Sequence, residues 1–216
     1  MLTMTNPVPM PVVRLPRQTL HHAWAPKLRR PVMFTSMSQV HLWVMLEANP
    51  NVTRYCERPA CAVEDMPESV ADFWVLRDGK EQWLTLEDDF NTSGAHASKT
   101  VDRHTPSSPC VETISRKEIE RHRLWIQNWM SLLPYLATGR HLIDPTLSES
   151  TIQFFDHTAT LESAEQHFSR VDPVLVRTAV IAGLHAGRLF STDLLGSPLG
   201  RHTRVNRYRR GDGHEA

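Results

Sequence analysis

The sequence lacks the features that place a protein in a membrane or in an oxidising compartment. No apolar run reaches the roughly 18 residues that a membrane-spanning helix needs, and prolines interrupt the N-terminal segment where a signal peptide has a continuous apolar stretch. The three cysteines, Cys56, Cys61 and Cys110, are too few and too irregularly spaced for a disulfide framework or a zinc site. We therefore expect a cytoplasmic protein with no membrane partner.

Acidic residues are missing from the N-terminal segment, where no Asp or Glu precedes Glu47. The formal net charge of +0 hides this asymmetry, because the segment from Glu47 to Asp102 holds 12 acids against 5 bases. Two basic ends around an acidic middle suit a protein that binds phosphate backbones, although solvated tails give the same pattern. The bases of the two ends are Arg14, Arg17, Lys27, Arg29 and Arg30, then Arg201, Arg204, Arg207, Arg209 and Arg210.

Familiar catalytic motifs are also missing. There is no glycine-rich phosphate loop and no Ser/His/Asp arrangement, and the twelve histidines show no paired metal-binding spacing such as H-E-x-x-H. We expect solvated histidines. Most of the six tryptophans lie on apolar helix faces or opposing strands, which predicts core packing. Trp24, in the basic N-terminal segment, has no such explanation.

The first half of the chain predicts an α/β domain. Residues 1–32, rich in proline, predict an extended basic arm. A helix follows at 36–47, capped by Ser36 or Ser38, and Asn49-Pro50 ends it. Strands are expected at 52–57, on both sides of an Arg77-Asp78-Gly79-Lys80 turn, and at 111–114. Residues 88–109, rich in Ser, Thr, Asn and His, predict a loop.

The second half predicts mostly helix. Ser115 and Glu118 fit a capping box, and Pro134 is expected to kink or end the helix that follows. Further helices are expected at 147–156, 161–168 and 172–187, the last ending at Gly187, and short strands at 189–190 and 203–205 resemble those of a wing. The domain division is thus an arm at 1–32, an α/β domain at 33–114, a helical, winged-helix-like domain at 115–210, and a tail at 211–216.

The order of several short motifs resembles the TnsA-type endonuclease subunits of heteromeric transposases. In that family an amphipathic helix ends in Leu-Glu-x-x-Pro-x-Val, and a short strand ends in an x-x-Pro element. About twenty residues later come an Asp-Phe strand start, a Gly turn and a returning strand, and a small closing domain follows. The counterparts here are Leu46, Glu47, Pro50, Val52, Pro59, Asp72, Phe73 and Gly79, then Gly187, Arg188, Leu189, Asp193, Pro198 and Thr203.

The resemblance implies a restriction-endonuclease-like core, a mixed sheet with flanking helices, whose metal site has four defined positions. A helix acid, an Asp that opens the hairpin, and an acid or Gln on the returning strand bind Mg²⁺, while a Lys two residues later helps to activate water. Here these positions fall at Gln39, Asp72, Thr85 and Glu87, so Asp72 alone is intact and is the one expected metal ligand. The returning strand, Gln82 to Leu86, carries no acid-x-Lys.

The resemblance therefore implies a subunit that acts in DNA transposition at transposon ends, beside a DDE-type transposase and an ATP-dependent regulator. With its nuclease centre degraded, it is expected to bind DNA and serve a structural role without a cofactor. One alternative is an active Mg²⁺-dependent endonuclease with a rearranged site, in which Glu87, Asp88 and Asp89 join Asp72, and Lys80 or Lys99 replaces the missing lysine. Another is a winged-helix DNA-binding adaptor or regulator. The residues expected to contact DNA are Arg201, Arg204, Arg207, Arg209, Arg210, Arg29 and Arg30.

Overall fold

The protein is an α/β chain with a mixed four-stranded sheet and seven α-helices within the residues that the structure describes. These residues, 7–12, 19–60, 71–87 and 111–208, were analysed in a computed structural model. The expected loop at 88–109 falls entirely outside these ranges. Across the same ranges, no helix is long and apolar enough to cross a membrane.

The chain forms two compact units that interleave along the sequence. Unit 1 contains residues 1–22, 32–42 and 52–121, and unit 2 contains 23–31, 43–51 and 122–216. Two strands, β1 (His21–Ala25) and β2 (Arg30–Phe34), and helix α1 (Met37–Ala48) contribute residues to both units. The two strands correct the expectation of an extended arm up to residue 32, because they pair with each other as a hairpin.

Unit 1 is built on a four-stranded sheet in the order β3-β4-β5-β6. The first three strands are antiparallel neighbours, and β6 runs parallel to β5. Asp78 and Gly79 connect β4 to β5, and both have positive φ, as a two-residue hairpin turn requires. The hairpin and all four strands are confirmed at or within one or two residues of the expected bounds, which are β3 (Val52–Glu57), β4 (Phe73–Arg77), β5 (Lys80–Leu86) and β6 (Val111–Ile114).

Helix α1 begins where the sequence predicts. The N–H of Gln39 donates to Oγ of Ser36 at 3.2 Å, so Ser36 is the capping residue. Phe73 in β4 is buried in the apolar core of unit 1, and its ring centroid lies 6.0 Å from that of Phe34 and 6.5 Å from that of Tyr55.

Unit 2 is mostly helical. The helix expected from Ser115 is two helices, α2 and α3, separated at His122, and α3 continues through Pro134, which therefore does not end it. Helices α4 and α6 both start with an Asp-Pro pair, in which Asp144 or Asp172 caps the first turn. The bounds are α2 (Arg116–Arg121, in unit 1), α3 (Arg123–Gly139), α4 (Pro145–Phe154), α5 (Leu161–His167), α6 (Pro173–His185) and α7 (Asp193–Gly196).

A small three-stranded sheet completes unit 2, in the order β7-β9-β8 with antiparallel pairing. Its strands are β7 (Ala159–Thr160), β8 (Leu189–Phe190) and β9 (Arg204–Arg207), so the two short strands expected near the C-terminus are confirmed. Helix α6 ends in a glycine cap: the N–H of Gly187, at φ +68°, donates to Leu184, and that of Arg188 donates to Gly183. This pair of bonds is the Schellman arrangement, which needs a residue with positive φ.

Candidate functional site

Asp72 lies immediately before β4, and its carboxylate accepts hydrogen bonds from three groups. Oδ1 accepts from Nε2 of Gln39 at 2.8 Å, and Oδ2 accepts from the N–H of Leu86 at 2.8 Å. Oδ2 also accepts from the hydroxyl of Thr85 at a longer 3.5 Å. The N–H of Asp72 donates to the carbonyl of Leu84 in β5, the strand that also contains Leu86. The side chain of Asp72 therefore continues the β4-β5 ladder by one further bond. Asp72 is thus a strand cap that also contacts α1.

The orientation of the Gln39 amide follows from its other neighbours. Its Oε1 accepts from the N–H of Thr35 at 2.9 Å and from the Thr35 hydroxyl at 3.1 Å. A backbone N–H needs an acceptor, so the amide oxygen faces Thr35 and the amide nitrogen faces Asp72. The position where the resemblance implies a metal-binding acid therefore presents a hydrogen-bond donor to the carboxylate.

The structure brings together three of the four positions that the resemblance implies, Gln39, Asp72 and Thr85. The fourth, Glu87, follows the end of β5 with an exposed side chain, and its N–H donates to Ile114 at 3.0 Å. Lys80, one candidate for the missing lysine, is at the other end of the hairpin, opposite Arg77. Arg77 is five positions after Asp72 along the strand, which corresponds to roughly 16 Å. Asp88, Asp89 and Lys99 lie outside the described residues.

The residues of this site do not fit a Mg²⁺ ion. A hard divalent cation binds carboxylate and carbonyl oxygens, but here Gln39 directs its nitrogen towards Asp72 and keeps its oxygen on Thr35. Both oxygens of Asp72 already accept N–H donors. In the described ranges, no group of three or more His, Cys, Asp or Glu side chains could hold a metal ion. The arrangement stabilises one carboxylate by hydrogen bonds alone.

Three of the arginines expected to contact DNA lie in or before β9, and each faces a carboxylate. The guanidinium of Arg204 donates two hydrogen bonds to Asp193, at 3.0 and 3.2 Å, and the N–H of Arg204 donates a third at 2.9 Å. These bonds lower the pKa of Asp193, and the side-chain bonds contribute most. The other two pairs are Arg207 with Asp156 at 2.7 Å and Arg201 with Glu162 at 3.5 Å. Exposed ion pairs of this kind contribute little to stability. A phosphate could therefore replace the carboxylate at little cost.

The remaining candidates for DNA contact are divided between the N-terminal hairpin and the tail. Arg29 is exposed at the β1-β2 turn, with a positive φ of 53°. Arg30 starts β2, is partly exposed, and donates to the carbonyl of Pro31 at 3.3 Å. Arg209 and Arg210 lie outside the described residues.

Comparison with known proteins identifies no family. No model of a known protein family matches the chain. No curated protein matches it at a significant level either. The functional interpretation therefore depends on the residues and contacts of this chain.

A buried polar cluster in unit 2 was missed by the sequence analysis. Glu47 is 0% exposed and its Oε1 lies 2.8 Å from Nε2 of His185, which is 5% exposed. The same oxygen accepts from the N–H of Lys27 at 2.8 Å, and Nζ of Lys27 caps the end of α1 by donating to Leu46 and Asn49. No local pattern indicates this pair, because 138 positions separate Glu47 from His185.

Proposed function

We propose that the protein is a DNA-binding, structural subunit of TnsA type in a heteromeric transposase, acting in the cytoplasm at transposon ends. In this proposal its partners are DNA, a DDE-type transposase and an ATP-dependent regulator. The hydrogen bond between Gln39 and Asp72 carries the proposal. It supports the positional match to a nuclease-like centre and also supports a centre that no longer catalyses hydrolysis.

The order of elements in unit 1 supports a restriction-endonuclease-like core. A helix, α1, precedes three antiparallel strands, and a fourth strand, β6, is parallel to the third. Asp72 comes at the start of the second of these strands, where the resemblance implies the hairpin Asp. The match of both order and position supports the proposed family more than either motif alone.

The connectivity of unit 2 supports a winged-helix-like domain. Helix α4, strand β7, helices α5 and α6, strand β8, helix α7 and strand β9 follow one another, and the last strand lies between the other two. Helix α6 is in the position of a recognition helix in this connectivity. Its one arginine, Arg177, however, forms an ion pair with Glu165 at 2.6 Å and donates to the hydroxyl of Tyr135 at 3.1 Å. We therefore assign the phosphate contacts to the arginines of the β9 region instead of α6.

A second candidate function is a winged-helix adaptor or regulator. The alternation of arginines and carboxylates around β9, in the pairs Arg204–Asp193 and Arg207–Asp156, favours it, because such a surface also suits a protein partner. The two functions differ in DNA selectivity: a regulator makes base-specific contacts, whereas a structural subunit held by its partners binds through the backbone. Competition by unrelated DNA separates them.

The experiment for the proposed function is DNA retention by the full chain in which Arg201, Arg204 and Arg207 are changed to Gln. We expect weaker binding. We also expect the slope of log K against log salt concentration to decrease in magnitude by about one for each lost phosphate contact. Arg116→Gln is the matched control, since Arg116 is also exposed and ion-paired, with Glu120 at 3.0 Å in α2. Unchanged retention by the triple variant would contradict the assignment of these arginines, and no retention by the unaltered chain would contradict the proposed function.

A further inference from the structure

Trp24 is the most exposed tryptophan of the protein. It lies in β1 and is 46% exposed, whereas Trp43, Trp74 and Trp129 are buried and Trp83 and Trp125 are partly buried. A strand alternates its side chains between two faces. The neighbouring Ala25 is fully buried, so Trp24 lies on the outer face of the hairpin. Leaving so large an aromatic side chain in water forgoes burial of its apolar surface and keeps the ring available to a ligand.

Trp24 shares the segment Ala23–Pro31, which we term the hairpin tip, with three basic residues, Lys27, Arg29 and Arg30. Arg29 is exposed, and within the described residues it forms no ion pair. No acidic residue precedes Glu47 in the sequence, and Glu47 itself is completely buried. The surface of the hairpin tip therefore presents a flat aromatic ring and the exposed guanidinium of Arg29. This combination is complementary to a polyanion with exposed bases.

The hairpin tip is also held in a fixed conformation. The N–H of Lys27 donates to Glu47 at 2.8 Å, and Nζ of Lys27 donates to the carbonyls of Leu46 and Asn49 at 2.8 and 2.5 Å. These bonds anchor the turn within unit 2 and leave Trp24 and Arg29 on its surface. A preorganised contact loses little conformational entropy when a ligand binds.

We propose that the hairpin tip binds an unpaired segment of DNA, with the Trp24 ring stacked on a base and the Arg29 guanidinium on a neighbouring phosphate. This inference rests on the proposed DNA-binding function and assigns it a contact surface that is separate in sequence from the arginines of the β9 region. Stacking on an aromatic ring selects unpaired bases, since paired bases already stack on each other. The hairpin tip thus recognises nicked or frayed DNA in preference to intact duplex.

The experiment measures binding of the full chain to two fluorescein-labelled probes, a blunt duplex and the same duplex with an unpaired overhang. We expect the Trp24→Ala variant to bind the overhang probe roughly 5- to 150-fold more weakly and to bind the blunt duplex with little change. Trp24→Phe keeps an aromatic ring and restores most of the binding. Arg29→Gln lowers the slope of the salt dependence by about 1. Leu195→Ala, at another exposed apolar residue of unit 2, is the control and leaves binding unchanged.

A second readout follows the tryptophan directly. The fluorescence contributed by Trp24, obtained by subtracting that of Trp24→Phe from that of the unaltered chain, is quenched by acrylamide in the free protein and protected by the overhang probe.

The outcomes separate the two proposals. Equal affinity of Trp24→Ala and the unaltered chain for the overhang probe, with Trp24 still quenched at saturating DNA, overturns this inference and leaves the proposed DNA binding in place. A change of oligomeric mass in Trp24→Ala with unchanged DNA affinity overturns it in favour of a contact between protein copies. Failure of the unaltered chain to bind either probe overturns both proposals.

Discussion

Gln39 donates a hydrogen bond of 2.8 Å from its side-chain nitrogen to the carboxylate of Asp72. A glutamate in place of Gln39 would set two carboxylates at that distance, which requires a cation or a shared proton. The side-chain amide of Gln39 instead donates a neutral N–H to the carboxylate of Asp72. The contact therefore explains how Gln39 and Asp72 pack together without a cation between them.

We predict that Gln39→Glu destabilises the protein in a pH-dependent way. The carboxylate pair raises the pKa of one of its members in the folded state. The free energy of unfolding therefore falls as the pH rises above the ordinary glutamate pKa, by about 1–3 kcal/mol at neutral pH, and recovers in acid. Thermal unfolding between acid and neutral pH measures this difference.

Gln39→Met is the matched control for that variant, because it removes the amide and adds no charge. Its cost should not vary with pH in the same range. Addition of Mg²⁺ or Mn²⁺ should raise the melting temperature of Gln39→Glu more than that of the unaltered chain. Equal melting temperatures of Gln39→Glu and Gln39→Met at every pH would contradict the proposed carboxylate contact.

The buried pair of Glu47 and His185 predicts a large loss of stability when one partner is removed. Glu47→Ala leaves the His185 ring and the N–H of Lys27 without their buried acceptor. We expect the free energy of unfolding to fall by about 1–3 kcal/mol for each buried donor that loses its acceptor. A double-mutant cycle with His185→Ala should give a coupling energy of about 1 kcal/mol or more. Strict additivity of the two substitutions would show that the pair does not act as a unit.

We predict that replacing Gly187 with a residue that has a side chain lowers the stability of the protein. A methyl group added there would lie 2.7 Å from Cβ of Pro50, and the residue has a φ of +68°. Left-handed backbone alone costs about 1–2 kcal/mol for other residues, so Gly187→Ala should lower the melting temperature clearly. Gly200→Ala is the control, since nothing lies within 4 Å of a methyl group there. Equal effects of the two substitutions would contradict the role of the glycine cap.

The ion pair of Arg204 with Asp193 predicts a titration linked to DNA binding. The side-chain and backbone donors of Arg204 lower the pKa of Asp193. This contribution to stability exists above the ordinary aspartate pKa and disappears as the pH falls through the lowered value. NMR titration should show the pKa of Asp193 rising in Arg204→Gln and also when DNA engages Arg204. A pKa that does not change on saturation with DNA would show that Arg204 stays with Asp193.

Local signals in the sequence predicted much of unit 1. Asp78-Gly79 specifies a tight turn, and Pro50 ends α1, so the flanking strands and the helix were expected close to their observed bounds. The β1-β2 hairpin was not expected, because its turn contains no glycine and Arg29 takes the positive φ instead. The start of α4 at Asp144-Pro145 was missed although it has the same Asp-Pro signal that correctly located the start of α6.

The candidate site was predictable only in part. The resemblance indicated that Gln39, Asp72 and Thr85 would meet, and their contacts agree with that arrangement. The direction of the Gln39 amide depends on Thr35, and no sequence pattern specifies it. Pairs such as Arg207 with Asp156 join residues 51 positions apart, so the ion pairs of Arg201, Arg204 and Arg207 became visible only in the folded chain.

The central claim, a nuclease-like subunit that binds DNA without cutting it, is tested most directly by nicking of supercoiled plasmid in Mg²⁺ or Mn²⁺. The unaltered chain and Asp72→Ala are compared, and DNA retention is scored in the same samples. We predict that both retain DNA and that neither nicks it above background. Nicking by the unaltered chain that disappears in Asp72→Ala would show that Asp72 supports catalysis and would contradict the account.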